Sequence, residues 1–116
     1  MSSFTEKPVH QRRMEVHRLL KKYPNKIPVI IQKSKSSSFV TEVKINKFLV
    51  PADLTVGQLL YTLRQRVKLS PEQALFIFFD NQIVNTTSTM KEIYMQYHNK
   101  EDEMLYATYS TESTFG

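Results

Sequence analysis

Three features of the 116-residue sequence predict an α+β fold, one sheet with helices laid against it. Strand-like apolar segments (27–32, 40–50, 75–79 and 104–109) alternate with segments whose apolar residues recur at helical spacing (9–23, 56–67 and 90–97). Two of the helical segments open with a capping box, Thr55 with Gln58 and Thr89 with Glu92, which closes free backbone donors at a helix start. Prolines mark the boundaries: Pro24 forbids continuation of the first helix, Pro28 is confined to the first residues of a strand, and Pro51 ends another. The length suits one domain with a core that needs no staples.

In the first helical segment, Val9, Val16, Leu20 and Tyr23 form one apolar stripe, and Arg12, Arg13, Arg18, Lys21 and Lys22 fill the other faces. Glu15 and Leu19 sit one turn apart beside the stripe, placed to form the rim and floor of a pocket. Ile27 to Gln32 reads as a buried strand, Lys33 to Ser38 as a polar loop, and Val40 to Val50 as the return strand. Phe48, Leu49 and Val50 are apolar in succession, so both faces of that strand should be covered. A short strand stopped by Pro51 and packed on both sides suits a sheet edge that accepts a partner. Val56, Leu59, Leu60, Leu63 and Val67 are the core stripe of the second helix, and Ser70-Pro71-Glu72-Gln73 is a turn with a short helical piece at most.

Leu75 to Phe79 is the most apolar strand, turned by Asp80-Asn81-Gln82 into the brief Ile83-Val84. Met90, Ile93, Tyr94 and Tyr97 stripe the third helix, with Asn99 as its stop and His98 a favourable charge near its negative pole. Glu101-Asp102-Glu103 is expected to be a solvated acidic loop, Met104 to Tyr109 the last strand, and Ser110 to Gly116 a polar tail that need not pack.

After the first helix, this order is that of the β-grasp fold, as in ubiquitin: one sheet crossed on one face by the 56–67 helix. The additional N-terminal helix must bury its stripe on the open face of the sheet, which accounts for the two-sided character of Phe48-Leu49-Val50. Residues 1–24 are then an N-terminal helical extension, 25–109 the ubiquitin-like β-grasp core and 110–116 a flexible C-terminal tail, all in one compact domain.

Composition narrows the function. The chain has no cysteine, hence no disulfide and no thiolate chemistry, which favours a reducing compartment. The longest apolar run, Ala74 to Phe79, is far short of the roughly 20 residues of a membrane span, and Phe4, Glu6, Lys7 and Pro8 do not resemble a signal peptide. These features predict a soluble intracellular domain. Residues 1–68 carry fourteen Lys/Arg against four Asp/Glu, whereas 69–116 carry two against seven. That asymmetry suits a basic face for acidic peptides, anionic lipid or nucleic acid.

Catalytic and metal chemistry find no footing. Two glycines cannot build a phosphate cradle, and no serine sits in a glycine-flanked elbow. His10 and His17 lie two helical turns apart, about 10 Å along the axis and too far to share a metal without a third ligand between them. No catalytic residue, metal or cofactor is expected, and the protein is not expected to be an enzyme. Stacking on nucleic acid needs aromatics interleaved with Lys/Arg on an exposed sheet, yet Phe76, Phe78, Tyr94 and Tyr97 fall on core stripes, so no nucleic acid is expected. The alternative reading is a basic, non-conjugated adaptor for a polyanion or an acidic filament surface.

Lys22-Tyr23-Pro24-Asn25-Lys26-Ile27-Pro28-Val29-Ile30, Phe48-Leu49-Val50-Pro51-Ala52-Asp53-Leu54-Thr55-Val56-Gly57-Gln58, Ala74-Leu75-Phe76 and Leu105-Tyr106, with a terminal Phe115-Gly116, resemble the GABARAP-type autophagy modifiers. The resemblance runs from about Pro8 to Gly116 and is weakest at 33–46. It implies a ubiquitin-like modifier joined through Gly116 to phosphatidylethanolamine on autophagosomal membranes, cytoplasmic before conjugation and monomeric while soluble. The partners it implies are motif-bearing cargo receptors and autophagy proteins, activating, conjugating and processing enzymes, and phosphatidylethanolamine membranes.

A peptide added to the edge at 44–50 points successive side chains to opposite faces, so residues three apart on it enter different pockets. The pocket toward the N-terminal helix would use Glu15, Leu19, Pro28, Ile30, Lys47, Leu49 and Met104 for an aromatic side chain. The pocket toward the second helix would use Phe48, Val50, Pro51, Leu54, Leu59 and Leu63 for an aliphatic one, with Lys26 and Arg66 as charged rim. The resemblance implies the same aromatic-x-x-aliphatic ligand. The chain departs from the family at Ile45 and Asn46, where lysines are frequent, at Met104, where an aromatic is common, and at Thr62, where leucine is frequent. Phe4 has two readings: a residue packed down on the domain, or a contact for lipid or another copy at a membrane. The resemblance implies that Gly116 is the acyl donor, its carboxylate activated with ATP and carried on the thiol of an enzyme, since this chain has no cysteine of its own.

Overall fold

Proline and capping residues set the element boundaries in the computed structural model, which describes residues 4–34, 47–67 and 69–111. A single 3-10 turn over Phe4–Glu6 leads to Pro8 and then to helix α1, Val9–Lys22, which closes at Tyr23 ahead of Pro24. Strand β1 spans Lys26–Lys33, β2 Lys47–Pro51, helix α2 Val56–Arg66, β3 Phe76–Phe79, β4 Gln82–Ile83, helix α3 Met90–Tyr97 and β5 Leu105–Ser110. Both capping boxes are formed: Thr55 and Gln58, like Thr89 and Glu92, each close the other's free backbone donor.

The sheet runs β2-β1-β5-β3-β4, with β1 parallel to β5 and the other pairs antiparallel. This is the β-grasp order, with β2 and β4 at the edges. The β3–β4 turn places Asp80 (φ 51°) and Asn81 (φ 61°) in the left-handed region that a two-residue hairpin with right-handed strand twist requires. Asp and Asn are among the side chains that visit this region most readily.

Strand alternation then sorts the side chains. On one face Ile27, Val29, Ile31, Val50, Ile77, Phe79, Leu105, Ala107 and Tyr109 pack with Val56, Leu59 and Leu63 of α2 and Met90 and Ile93 of α3 in the larger core. On the other face Ile30 and Met104 pack with Val16 of α1 and with Phe4 in a smaller one. The starts of α2 and α3 are laced together, the Val56 amide donating to Ser88 O (2.9 Å) and the Met90 amide to Leu54 O (2.8 Å). Gly57 sits in this lacing because a Cβ there would lie only 3.3 Å from the Thr86 carbonyl oxygen.

The structure departs from the sequence reading at several points. The strand expected over 27–32 extends to Lys33, and Ser34, expected in a loop, is buried with its amide on Tyr109 O at 2.8 Å. Strand β5 continues to Ser110, buried opposite Phe76, into what the composition suggests is tail. Tyr23 closes the stripe of α1 but is 37% exposed. The expected strand at 40–46, Ile45 and Asn46, and Phe115 and Gly116 lie outside the described residues. The largest departure is at Asp102, expected in solvent and found fully buried.

Candidate functional site

Strand β2 has β1 on one side and, among the described residues, no strand on the other. Its side chains alternate between the two helix layers, so each face of this edge meets a different set of neighbours. Toward α2, Phe48, Val50, Pro51, Leu54, Leu59 and Leu63 surround one cavity of about 270 Å³, joined by Ile31, Thr62 and Arg66. Leu63, Leu59 and Val50 form its buried floor. The Arg66 guanidinium carbon stands 5.3 Å from the centre of the Phe48 ring, a cation over an aromatic face at the rim. Thr62 donates its hydroxyl to Gln58 O at 3.1 Å, back-bonding to its own helix.

Ile31 is absent from the sequence argument, which names Thr62 only as a departure from the family and not as a pocket residue. Alternation from Ile27 and Val29 gives Ile31 away, since all three must share a face. Thr62 sits one turn before Arg66, but a polar residue there gives no core signal.

Toward α1, the register sets Pro28 opposite Leu49 and Ile30 opposite Lys47, so these four share the second face. Pro28 is buried, Leu49 is 37% exposed, and Leu19 is half-buried on α1. The Glu15 carboxylate takes two ammonium groups, Lys47 on Oε1 and Lys7 on Oε2, the latter at 2.9 Å. Burial alone would raise the Glu15 carboxyl, but the hydrogen bonds and charges of Lys47 and Lys7 outweigh it and hold it below its ordinary value. Ile30 and Met104 do not face an open hollow; they pack against Val16 and the ring of Phe4, which is 9% exposed. The Lys47 and Lys7 ammonium nitrogens lie 4.9 and 5.9 Å from that ring's centre. Of the two readings of Phe4, the structure shows the packed one. Lys26 begins β1 opposite Pro51, partly exposed at that end of the edge.

Helix α1 is held over this face by the segment before β5. Arg12 donates through Nη1 to Asp102 Oδ2 (2.8 Å), the Tyr106 hydroxyl donates to the same oxygen (2.5 Å), and the Met104 amide donates to Oδ1 (2.8 Å). Arg13 donates to Glu101 O at 2.7 Å, and a ring nitrogen of His17 lies 2.6 Å from Glu103 Oε2. Part of the basic helix is therefore spent on clamping the domain together and does not serve as free charge. His98 turns its Nδ1 to Tyr94 O at 2.8 Å, beside the end of α3.

Comparison with known proteins agrees with this architecture. Residues 11–116 match the family described as "Autophagy protein Atg8 ubiquitin like". Autophagy-related protein 8d of Arabidopsis thaliana is 48% identical over 117 residues, covering all of this chain and 96% of the relative. Autophagy-related protein 8 of Aspergillus niger is 50% identical over 111 residues, covering 96% of this chain and 92% of the relative. The crystal structure of Trypanosoma brucei ATG8 superposes with a TM-score of 0.85 at 35% identity, covering 100% of this chain and 99% of that one.

Proposed function

The chain belongs to the Atg8 ubiquitin-like family of autophagy proteins, and on that premise we propose that it is a conjugated modifier that recruits partners by adding a peptide strand to β2. The observation that carries this reading is the edge strand with a different apolar surface on each side. A strand laid along β2 presents alternate side chains to the two faces, so an aromatic residue and an aliphatic one three positions later enter opposite pockets. The aliphatic side chain takes the cavity ringed by Phe48, Leu54, Leu63 and Arg66, and the aromatic one takes the face of Glu15, Leu19, Pro28, Lys47 and Leu49. Acidic residues flanking the motif pair with Lys26, Lys47 and Arg66, each exposed pair adding about 0–1 kcal/mol.

Titration of an aromatic-x-x-aliphatic peptide against wild type, Lys47→Ala and Leu49→Ala tests the pocket. Both variants should bind several-fold more weakly, and unchanged affinity in both places the site elsewhere. Binding should also survive added salt far better than attachment to a polyanion would.

The conjugated end is Gly116. Its carboxylate, activated at the expense of ATP and held as a thioester on an enzyme's cysteine, passes to the amine of phosphatidylethanolamine as an amide, and the thiol is released. The protein is then the acyl donor and not the catalyst, and its lipidated form resides on autophagosomal membranes. Intact mass after incubation with the family's activating and conjugating enzymes, ATP and phosphatidylethanolamine vesicles tests this. Wild type should gain one lipid less water, and a chain lacking Gly116 should gain nothing.

A further inference from the structure

Phe4 is a large apolar side chain in a three-residue 3-10 turn, closed by one backbone bond from the Lys7 amide to Phe4 O at 3.2 Å. So short a turn has little stability of its own. Its ring is seated on Val16, Ile30 and Met104, with the Lys47 and Lys7 ammonium groups over it. Glu15 ties both lysines in place. Ile30, Met104, Lys47 and Glu15 are four of the residues expected to receive a ligand's aromatic side chain. An aromatic ring of the chain itself thus already lies on that floor, with the pocket's cation Lys47 over it.

We propose that Phe4 is an internal occupant of the aromatic pocket, and that a peptide gains full engagement only by displacing it. The proposal rests on the peptide-binding reading above. Two rings cannot share one floor, so the apparent affinity is the intrinsic one reduced by the fraction of molecules with Phe4 lifted. Lys7 and Pro8 link the turn to α1 outside the sheet, so its departure need not move a strand. Leu49 lies outside the Phe4 cluster and is 37% exposed, which leaves the incoming strand a first foothold along β2. When Phe4 leaves, Lys47 is free to exchange one ring for another at little cost.

The test uses a tryptophan-free peptide with Tyr-x-x-Leu or Phe-x-x-Leu, because the chain itself contains no tryptophan. Phe4→Ala should bind this peptide more tightly than wild type, by roughly three- to tenfold, and removal of residues 1–7 should give a similar gain. In Phe4→Trp, the single indole should move to longer emission wavelengths as peptide saturates the site, reporting its transfer from a packed face to water. Equal or weaker binding by Phe4→Ala makes Phe4 a wall of the pocket and overturns the proposal. So does an indole whose emission stays fixed while calorimetry records binding. Either result spares the peptide-binding reading. Failure of both wild type and Phe4→Ala to bind any such peptide overturns that reading and this inference with it.

Discussion

Replacing Asp102 with alanine removes the acceptor for Arg12, Tyr106 and the Met104 amide at one stroke. The Arg12 side chain is only 18% exposed and its Nε has no hydrogen-bond partner among the described residues, so its charge would be left poorly solvated. Breaking a buried pair on one side costs about 3–5 kcal/mol, and Asp102→Ala should lose that much in urea unfolding. Tyr106→Phe should cost less, about 1–2 kcal/mol, because the carboxylate keeps its other two donors. Burial and the Asp102 acceptor push the Tyr106 hydroxyl far above its ordinary range, against the opposing pull of Arg12, so it remains a donor at all physiological pH values. Glu15 makes a pH prediction. Its carboxyl is depressed below 4.5 in the folded protein, so its contribution is present in full above that value and is lost as pH falls through the folded value. The stability difference between wild type and Glu15→Gln, read from urea midpoints, should therefore be present at pH 7 and shrink toward zero well below pH 4.5.

Among the elements, the two helix starts that meet at Thr55 and Thr89 are the most legible in the sequence. Their capping boxes follow from residue type and spacing alone, and the structure adds that the two threonines are themselves bridged across the loops. Thr55→Ala or Thr89→Ala should each cost about 1 kcal/mol. Because the two starts share hydrogen bonds, the double variant should deviate measurably from the sum in a thermodynamic cycle. The strand faces are legible for a similar local reason: alternation requires Phe48 and Val50 to share one face and Leu49 the other. Three features were not legible, and each depends on distance along the chain. Asp102 sits in a run of carboxylates that looks solvated, and only the packing of α1 brings Arg12, ninety residues away, onto it. Phe4 shows no periodicity, so nothing local ties it to Ile30 and Met104. Thr62 is an exposed helix residue, and only the chain passing through Pro51 and Leu54 makes it a wall of the cavity.

At the scale of the whole molecule, the sheet is the shared wall of two cores, and this gives the N-terminal segment a structural role beside the one proposed for Phe4. Val16 is fully buried, as is Met104 beneath it, and Ile30 is only 3% exposed. Removing residues 1–24 would uncover that face, open the Ile30–Met104 surface to water and strip Asp102 of its guanidinium partner. Burial of each large side chain on that face is worth about 1.5–3 kcal/mol, and Phe4, Val16, Ile30 and Met104 all lose theirs. Together these approach the whole stability of an ordinary domain, about 5–15 kcal/mol. Residues 25–116 alone should therefore be largely unfolded or aggregated at 25 °C, although α2, α3 and the larger core are untouched in sequence. Deleting only residues 1–7 keeps α1, Val16 and Arg12 and should leave the fold intact. The two truncations thus separate the roles: the short one tests Phe4 as occupant, the long one tests α1 as half of the core. Far-ultraviolet circular dichroism and urea midpoints of both decide the matter. A chain of residues 25–116 that unfolds cooperatively at the wild-type midpoint would show that the α1 layer adds nothing to the fold and that the sheet stands on the larger core alone.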